Sequence, residues 1–282
     1  TVVAAWDWDG KELKQHWVFD TNNPKWKDYG GNGNHNIRVA DVDGDGCDEI
    51  TLGSVAIDND GSGLYNTHMG HGDAIHLTAF YPGSDKLQVW DCHENRRDGS
   101  DFRDAATGKV KFQIPSNEDV GRCMAADIDP TNPGLEMWSA DSKGLRNVKG
   151  DILNGRVRST NFGIWWDGDL LRELLDHERV LKYDWKAGRT YTLLQLKNCK
   201  FNNGTKSNPC LSADILGDWR EEILTRDETS SELRLYVSTI PTTHRMTCLE
   251  EDVPYRLGVA AENSGYNQPP ETGFYFGAES KF

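Results

Sequence analysis

Apolar positions along this chain recur with a period of two over short runs. Val2-Val-Ala-Ala-Trp-Asp-Trp-Asp9, Leu87-Gln-Val-Trp-Asp91, Phe162-Gly-Ile-Trp-Trp-Asp-Gly168 and Leu233-Arg-Leu-Tyr-Val237 share the form, and the first three run into aromatic-Asp steps. Such alternation puts one set of side chains on a core face and the other toward water, which is the pattern of short strands. The 28 glycines, many in Asp-Gly and Asn-Gly steps, supply tight turns between them. Helical periodicity is almost absent. Asp169-Leu-Leu-Arg-Glu-Leu-Leu-Asp-His-Glu178 has good helix propensity, but it follows the Trp165-Trp166-Asp-Gly unit of the repeat and is read as strand.

A longer repeat organises these runs. Asp41-Val-Asp-Gly-Asp-Gly-Cys-Asp-Glu49, Asp127-Ile-Asp-Pro-Thr-Asn-Pro-Gly-Leu-Glu136 and Asp214-Ile-Leu-Gly-Asp-Trp-Arg-Glu-Glu222 each precede an apolar run, and the first Asp recurs after 86 and then 87 residues. With the aromatic-Asp motif interleaved, that period divides into two units of roughly 43 residues, the size of a four-stranded propeller blade. The expectation is an all-β propeller, with roughly six blades in this length.

The loops themselves suggest chemistry. Asp41, Asp43 and Asp45 alternate through a turn kinked by Gly44 and Gly46, with the Cys47 carbonyl and Glu49 placed to join them. Converging oxygens of this kind suit calcium, and a run of like charges repels without a cation; the competing reading is an Asp-Gly turn that binds nothing. The other two loops, Asp127, Asp129 and Glu136, and Asp214, Asp218 and Glu222, are read as further calcium loops or as hydrogen-bonded turns. Histidines crowd separately, with His35 in Gly-Asn-Gly-Asn-His-Asn, His68, His71, Asp73 and His76 together, and His93 beside Glu94. His71 and Asp73 fall on one face of an extended chain, and imidazole with carboxylate can hold zinc or a harder cation.

Composition narrows the possibilities. Ten Trp and 10% aromatics mark a folding chain, and no apolar run reaches the length of a membrane helix, so no membrane partner is expected. The net charge of −14 argues against nucleic acid, whose binding rests on basic residues. None of the six cysteines forms a Cys-x-x-Cys pair, and Cys199 and Cys210, flanking a short polar loop, are the pair best placed by sequence to bridge. The chain opens at Thr1 with no signal peptide, as a mature or truncated product would.

Gly70-His-Gly-Asp-Ala-Ile-His76, Val89-Trp-Asp-Cys-His-Glu94, Asp119-Val-Gly-Arg-Cys-Met-Ala-Ala-Asp-Ile-Asp129, Asn202-Asn-Gly-Thr-Lys-Ser207 and Glu262-Asn-Ser-Gly-Tyr266 together resemble the rhamnogalacturonan lyases of polysaccharide lyase family 11. The resemblance implies a secreted enzyme, periplasmic or at the cell surface where not released, that cleaves pectin by calcium-assisted β-elimination. It implies an eight-bladed propeller holding several calcium ions, of which residues 1–282 would be the C-terminal part, an incomplete arc without the N-terminal sandwich and first blades. Such an arc would leave strand edges open to pairing. It implies further that His35, His71, Asp73 and Glu94 hold a calcium in the active cleft, and that Arg122, Lys206 and Tyr266 are the catalytic group. Lys206 would be the base, Arg122 would neutralise the uronate carboxylate, and Asn203, Gly204, Thr205, Ser207 and Asn267 would contact an acidic pectic substrate. Asn203-Gly-Thr205 is also a glycosylation sequon, discounted because modification there would block that loop. Two other readings remain open: a non-catalytic, calcium-stabilised propeller binding carbohydrate or protein, and a glycoside hydrolase with two opposed carboxylic acids. Oligomeric state is not legible.

Overall fold

The computed structural model describes residues 1–141, 143–266 and 268–281. Its strands are all antiparallel with their hydrogen-bonded neighbours and fall into six successive sheets. The first is a ribbon of β1 (Val2–Trp8) and β2 (Leu13–Asp20). Next come β3 (Arg38–Ala40), β4 (Glu49–Leu52), β5 (Val55–Ile57) and β6 (Gly63–Asn66), ordered 3-4-5-6. β7 (Ala74–Thr78), β8 (Gln88–Cys92), β9 (Ser100–Asp104) and β10 (Val110–Ile114) form a second four-stranded sheet in sequence order. β11 (Cys123–Ala126) and β12 (Glu136–Ser139) make a two-stranded sheet. β13 (Phe162–Ile164), β14 (Glu173–Asp176), β15 (Arg179–Asp184) and β16 (Arg189–Gln195) form a third meander of four, and β17 (Leu211–Ala213), β18 (Glu222–Arg226) and β19 (Leu233–Tyr236) one of three.

The innermost strands of successive sheets lie side by side: β3 packs on β7, β7 on β11, and β11 on β13. The four sheets of three or four strands are blades, and the whole is propeller-like. Alternation explains the outer strands, with β10 burying every second residue less than its neighbours. Inner strands are buried on both faces, which is why β7, β8 and β11 read as continuous buried runs. Of the segment with helix propensity, Glu173–Asp176 is strand, β14, because Leu174 and Leu175 pack on the two sheet faces where both are fully buried, whereas 169–172 and 177–178 lie in the turns on either side.

One element departs from the expectation of a chain without helices. Val253–Ala261 forms an α-helix, α1, opened by the Asp252 carboxylate accepting from the Tyr255 amide at 3.0 Å, with Pro254 in its first turn. It packs on both β3 and β17, and buries Tyr255 and Gly258. The run is too short for its periodicity to stand out in sequence. Beyond it, residues 268–272 are buried among the inner strands. Arg38 Nη2 donates to the Pro269 carbonyl at 2.9 Å, Arg172 Nη2 to Pro270 at 2.8 Å, and Thr78 Oγ1 to Thr272 at 2.7 Å. Glu271 meets His76 Nδ1 at 2.5 Å. Cys199 and Cys210 are both unbridged, contrary to the pairing their spacing suggests. Among the described residues no helix is long and apolar enough to cross a membrane.

Candidate active site

Four residues from three separate segments converge at the ends of the first two four-stranded sheets. The loop before β3 pairs with the loop before β7 through a parallel bridge between Asn34 and Gly72, and the His35 amide donates to the Gly72 carbonyl at 3.2 Å. The Glu94 amide, just past β8, donates to His71 at 2.9 Å. Gly72 is required there because a Cβ would lie 1.9 Å from the Cys92 carbonyl oxygen. Backbone stitching thus brings one ligand-type atom from each of His35, His71, Asp73 and Glu94 within 4.8 Å of one another.

The donor set fits a divalent cation. His71 Nδ1 lies 2.6 Å from the Gly33 carbonyl oxygen, which can only accept, so Nδ1 carries the proton and the Nε2 lone pair faces Glu94 Oε1 at 3.7 Å. Asp73 Oδ1 is buried without a hydrogen-bond partner and lies 3.6 Å from His35 Nε2. Two imidazole nitrogens with two carboxylates leave room for water, a mixed shell rather than an all-oxygen one. Desolvation holds His35 below its ordinary pKa, with His71 and Lys206 acting in the same direction and Asp73 against them, which favours the neutral, ligating form.

Lys206 and Tyr266 meet this cluster from the far side of the chain. Lys206 ends a single 3-10 turn, Gly204–Lys206, bounded by Asn203 and Ser207 in the left-handed region at φ 63° and 48°. Its Nζ donates to Asp73 Oδ2 at 2.8 Å and sits 4.5 Å from the Tyr266 ring centroid. The Tyr266 ring in turn lies 4.2 Å from the His35 ring. Gly265, at φ 64°, permits this approach, since a Cβ there would fall 1.7 Å from the His35 carbonyl oxygen.

Arg122 is placed differently from the substrate-facing role expected of it. Its side chain is 5% exposed, donating through Nη1 to the Tyr266 carbonyl at 2.9 Å and through Nη2 to the Asn161 carbonyl at 3.0 Å. Asn161 continues the chain, donating to the Thr205 carbonyl at 3.1 Å and to Asp176 Oδ1 at 2.7 Å. Arg122 therefore ties the Tyr266 loop to the Lys206 loop. Sequence reasoning missed Asn161 and Asp176, because no local spacing links them to the site. Asn203, Gly204 and Thr205 are exposed beside Lys206, whereas Ser207 is 3% exposed and its Oγ accepts from the His177 amide at 2.8 Å. Ser207 shapes the loop rather than facing a substrate. Asn267 lies outside the described residues.

The acidic loops differ from one another. Asp41, Asp43 and Asp45 bring carboxylate oxygens within 4.8 Å of one another, and Glu49 Oε1 is buried beside them without a partner. Oxygen donors alone with an orphaned buried carboxylate fit calcium. Cys47 contributes its amide to Asp45 Oδ1 at 2.7 Å, and its thiol is exposed. Asp127, Asp129 and Glu136 are not gathered in this way among the described residues: Tyr275 OH donates to Asp127 Oδ2 at 2.5 Å, and Thr131 and Asn132 occupy Asp129. Burial pushes Asp127 up to about 7 and Glu136 up to about 10. Nor are Asp214, Asp218 and Glu222, since Asp214 accepts from the Asp218 and Leu249 amides, both at 2.8 Å, and Asp218 pairs with Arg220 at 2.7 Å. Two clusters went unforeseen. Asp91, His93 and Asp101 are fully buried around Arg103, and Asp167, Asp169 and Glu173 surround Lys182. The second was legible, as its Asp-x-Asp-x-x-x-Glu spacing stands 40 residues after Asp127.

The family description "Rhamnogalacturonan lyase family 11, C-terminal domain" matches residues 1–281. The chain belongs to rhamnogalacturonan lyase family 11. It is 50% identical over 280 residues to the rhamnogalacturonan endolyase YesW of Bacillus subtilis (strain 168), covering 98% of this chain and 45% of that protein. It is 46% identical over 299 residues to the rhamnogalacturonan exolyase YesX of the same organism, covering 100% and 49%. The crystal structure of YesW superposes with a TM-score of 0.96 at 48% identity, covering 99% of this chain and 48% of that one. The chain spans about half the length of these relatives. Relatives named for endo and exo action are almost equally similar, so identity does not choose between the two modes.

Proposed function

We propose that this chain is the C-terminal part of the propeller of a secreted lyase that cleaves the rhamnose-galacturonate backbone of pectin by β-elimination. In this reading the six sheets are six blades of an eight-bladed propeller. One observation carries the chemistry: an amine and a phenol lie against a divalent-cation donor set, with Lys206 Nζ 2.8 Å from Asp73 Oδ2 and 4.5 Å from the Tyr266 ring.

The proton beside a uronate carboxylate is weakly acidic, and its removal builds charge onto that carboxylate. A calcium ion held by His35, His71, Asp73 and Glu94 would offset this charge, the kind of electrostatic contribution that dominates such steps. Lys206 Nζ takes the C5 proton. The electron pair forms the C4–C5 double bond, the C4–oxygen bond breaks, and the Tyr266 hydroxyl returns a proton to the departing oxygen. Asn203, Gly204 and Thr205 line the approach to Lys206, and Asn267, outside the described residues, is proposed as a further substrate contact. Arg122 positions Tyr266 and the Lys206 loop and adds positive charge beneath the cleft.

Calcium is proposed structurally at Asp41, Asp43, Asp45, the Cys47 carbonyl and Glu49. The Asp127 and Asp214 loops are weaker candidates, because among the described residues their acids do not gather oxygens around one point as Asp41, Asp43 and Asp45 do. The test is to incubate the full-length protein with rhamnogalacturonan. Products carrying an ultraviolet-absorbing unsaturated uronate support the reading, and saturated products would assign hydrolysis instead.

A further inference from the structure

Four acidic loops of this chain share one construction. An inner strand ends, the chain turns through aspartates, and a glutamate opening the next strand folds one oxygen back onto the turn. Glu49 Oε2 accepts from the Val42 amide at 2.9 Å, and Glu222 Oε2 from Leu216 at 2.9 Å. Glu136 Oε2 accepts from Ile128 and Asp129 at 2.9 and 3.0 Å, and Glu173 Oε2 from Trp166 and Asp167 at 3.0 and 3.1 Å. What differs is the other oxygen. Glu49 Oε1 and Glu136 Oε1 are buried without hydrogen-bond partners. Glu173 Oε1, on a side chain fully buried, accepts from Lys182 Nζ at 2.8 Å.

Lys182 does more than satisfy one carboxylate. Its Nζ also donates to Asp169 Oδ2 at 2.7 Å and to Asp167 Oδ2, so all three ammonium protons go to the three acids of the loop. The side chain is 14% exposed. An ammonium is a compact charge with three rotatable donors, suited to three converging carboxylates. Strand register explains how it arrives there. Leu174 pairs with Leu181 across β14 and β15, which sets Lys182 opposite Glu173 one step further along. In the first four-stranded sheet Ile50 pairs with Ile57, which sets Asp58 opposite Glu49. The same lattice point thus carries an ammonium in one loop and a further carboxylate in the other.

We infer that Lys182 is the built-in cation of the 167–173 loop, occupying the place where the 41–49 loop takes a divalent ion. The first loop is then closed without metal, and the second is not. The comparison with 41–49 rests on the calcium reading above, whereas the role of Lys182 does not. A loop of three converging acids is held together only when their repulsion is offset, and here the offset is covalently part of β15.

The test uses the full-length protein as wild type, Lys182→Met and Asp58→Lys, with bound calcium counted after desalting and melting followed with and without chelator. Lys182→Met is expected to gain about one ion per chain, and to melt roughly 5–10 °C below wild type in chelator with recovery in calcium. Asp58→Lys is expected to lose about one ion. A Lys182→Met protein with the wild-type ion count and the wild-type melting temperature in chelator would overturn the inference, as would crystallographic density for a metal at Asp167, Asp169 and Glu173 in wild type. Should Lys182→Met fail to fold, an unchanged count in Asp58→Lys would overturn the equivalence of the two positions. A wild type without any bound calcium would instead overturn the reading of the 41–49 loop, leaving the gain in Lys182→Met to decide the role of Lys182.

Discussion

Replacing Glu271 by Ala should destabilise the centre of the fold strongly. Glu271 is 3% exposed and faces three buried basic side chains, with His76 Nδ1 at 2.5 Å, Arg172 Nη1 at 3.9 Å and Arg38 acting through its charge. Arg38 and Arg172 also hold the carbonyls of Pro269 and Pro270, while His76 Nε2 lies 3.0 Å from the Cys123 carbonyl. Removing the acid takes away the His76 partner and leaves Arg172 and Arg38 with only Glu221 and Glu262 to balance them, and breaking a buried pair of this kind typically costs about 3–5 kcal/mol. For a chain of this size that is a fall in melting temperature of roughly 6–15 °C. Glu271→Gln preserves shape and can still accept one hydrogen bond, so roughly half the loss is expected. The pH dependence has a definite sign. Burial alone would raise the Glu271 pKa, but His76, Arg38 and Arg172 outweigh it and hold it below the ordinary glutamate value. A depressed carboxyl stabilises above its unfolded pKa of about 4.3 and loses that stabilisation as pH falls through the folded value. Thermal melts of wild type, Glu271→Gln and Glu271→Ala across neutral to acid pH measure both. Glu271→Ala melting within about 2 °C of wild type at pH 7 would refute the central role given to this acid.

The site yields further expectations. Gly72→Ala places a Cβ 1.9 Å from the Cys92 carbonyl, so it should part His71 and Asp73 from Glu94, cutting turnover by about a hundredfold or more, as measured by initial rates. Gly265→Ala should act similarly on Tyr266 through its 1.7 Å clash with the His35 carbonyl, visible as lost turnover in an otherwise folded protein by circular dichroism. Arg122→Lys cannot hold both the Tyr266 and Asn161 carbonyls, so turnover should fall by roughly tenfold or more while the bound-calcium count stays at the wild-type value.

Much of the architecture was legible because its causes are local. Period-two alternation marks β1 and β19, and the repeat of Asp41, Asp127 and Asp214 marks the entry to three second strands. The acidic spacing alone could not say which loops gather their carboxylates. Asp129 is drawn off by Thr131 and Asn132, and Asp127 by Tyr275, a residue 148 positions away. Lys182 was hidden for another reason: its partners become visible only when β15 is laid against β14 in register. The direction of Arg122 was equally illegible, since a buried Arg beside a cleft can reach a substrate or a backbone carbonyl with the same side chain. The short helix α1 escaped because nine residues hold too few turns for a face to show.

If Lys206 takes the proton in the proposed β-elimination, its removal must show in the rate at which full-length Lys206→Ala forms unsaturated product from rhamnogalacturonan. The expectation is a fall of about two orders of magnitude or more with a nearly unchanged melting temperature, no rescue by Lys206→Arg, and partial recovery when small primary amines are added. Near-wild-type formation of unsaturated product by Lys206→Ala would contradict it and move the base to Tyr266.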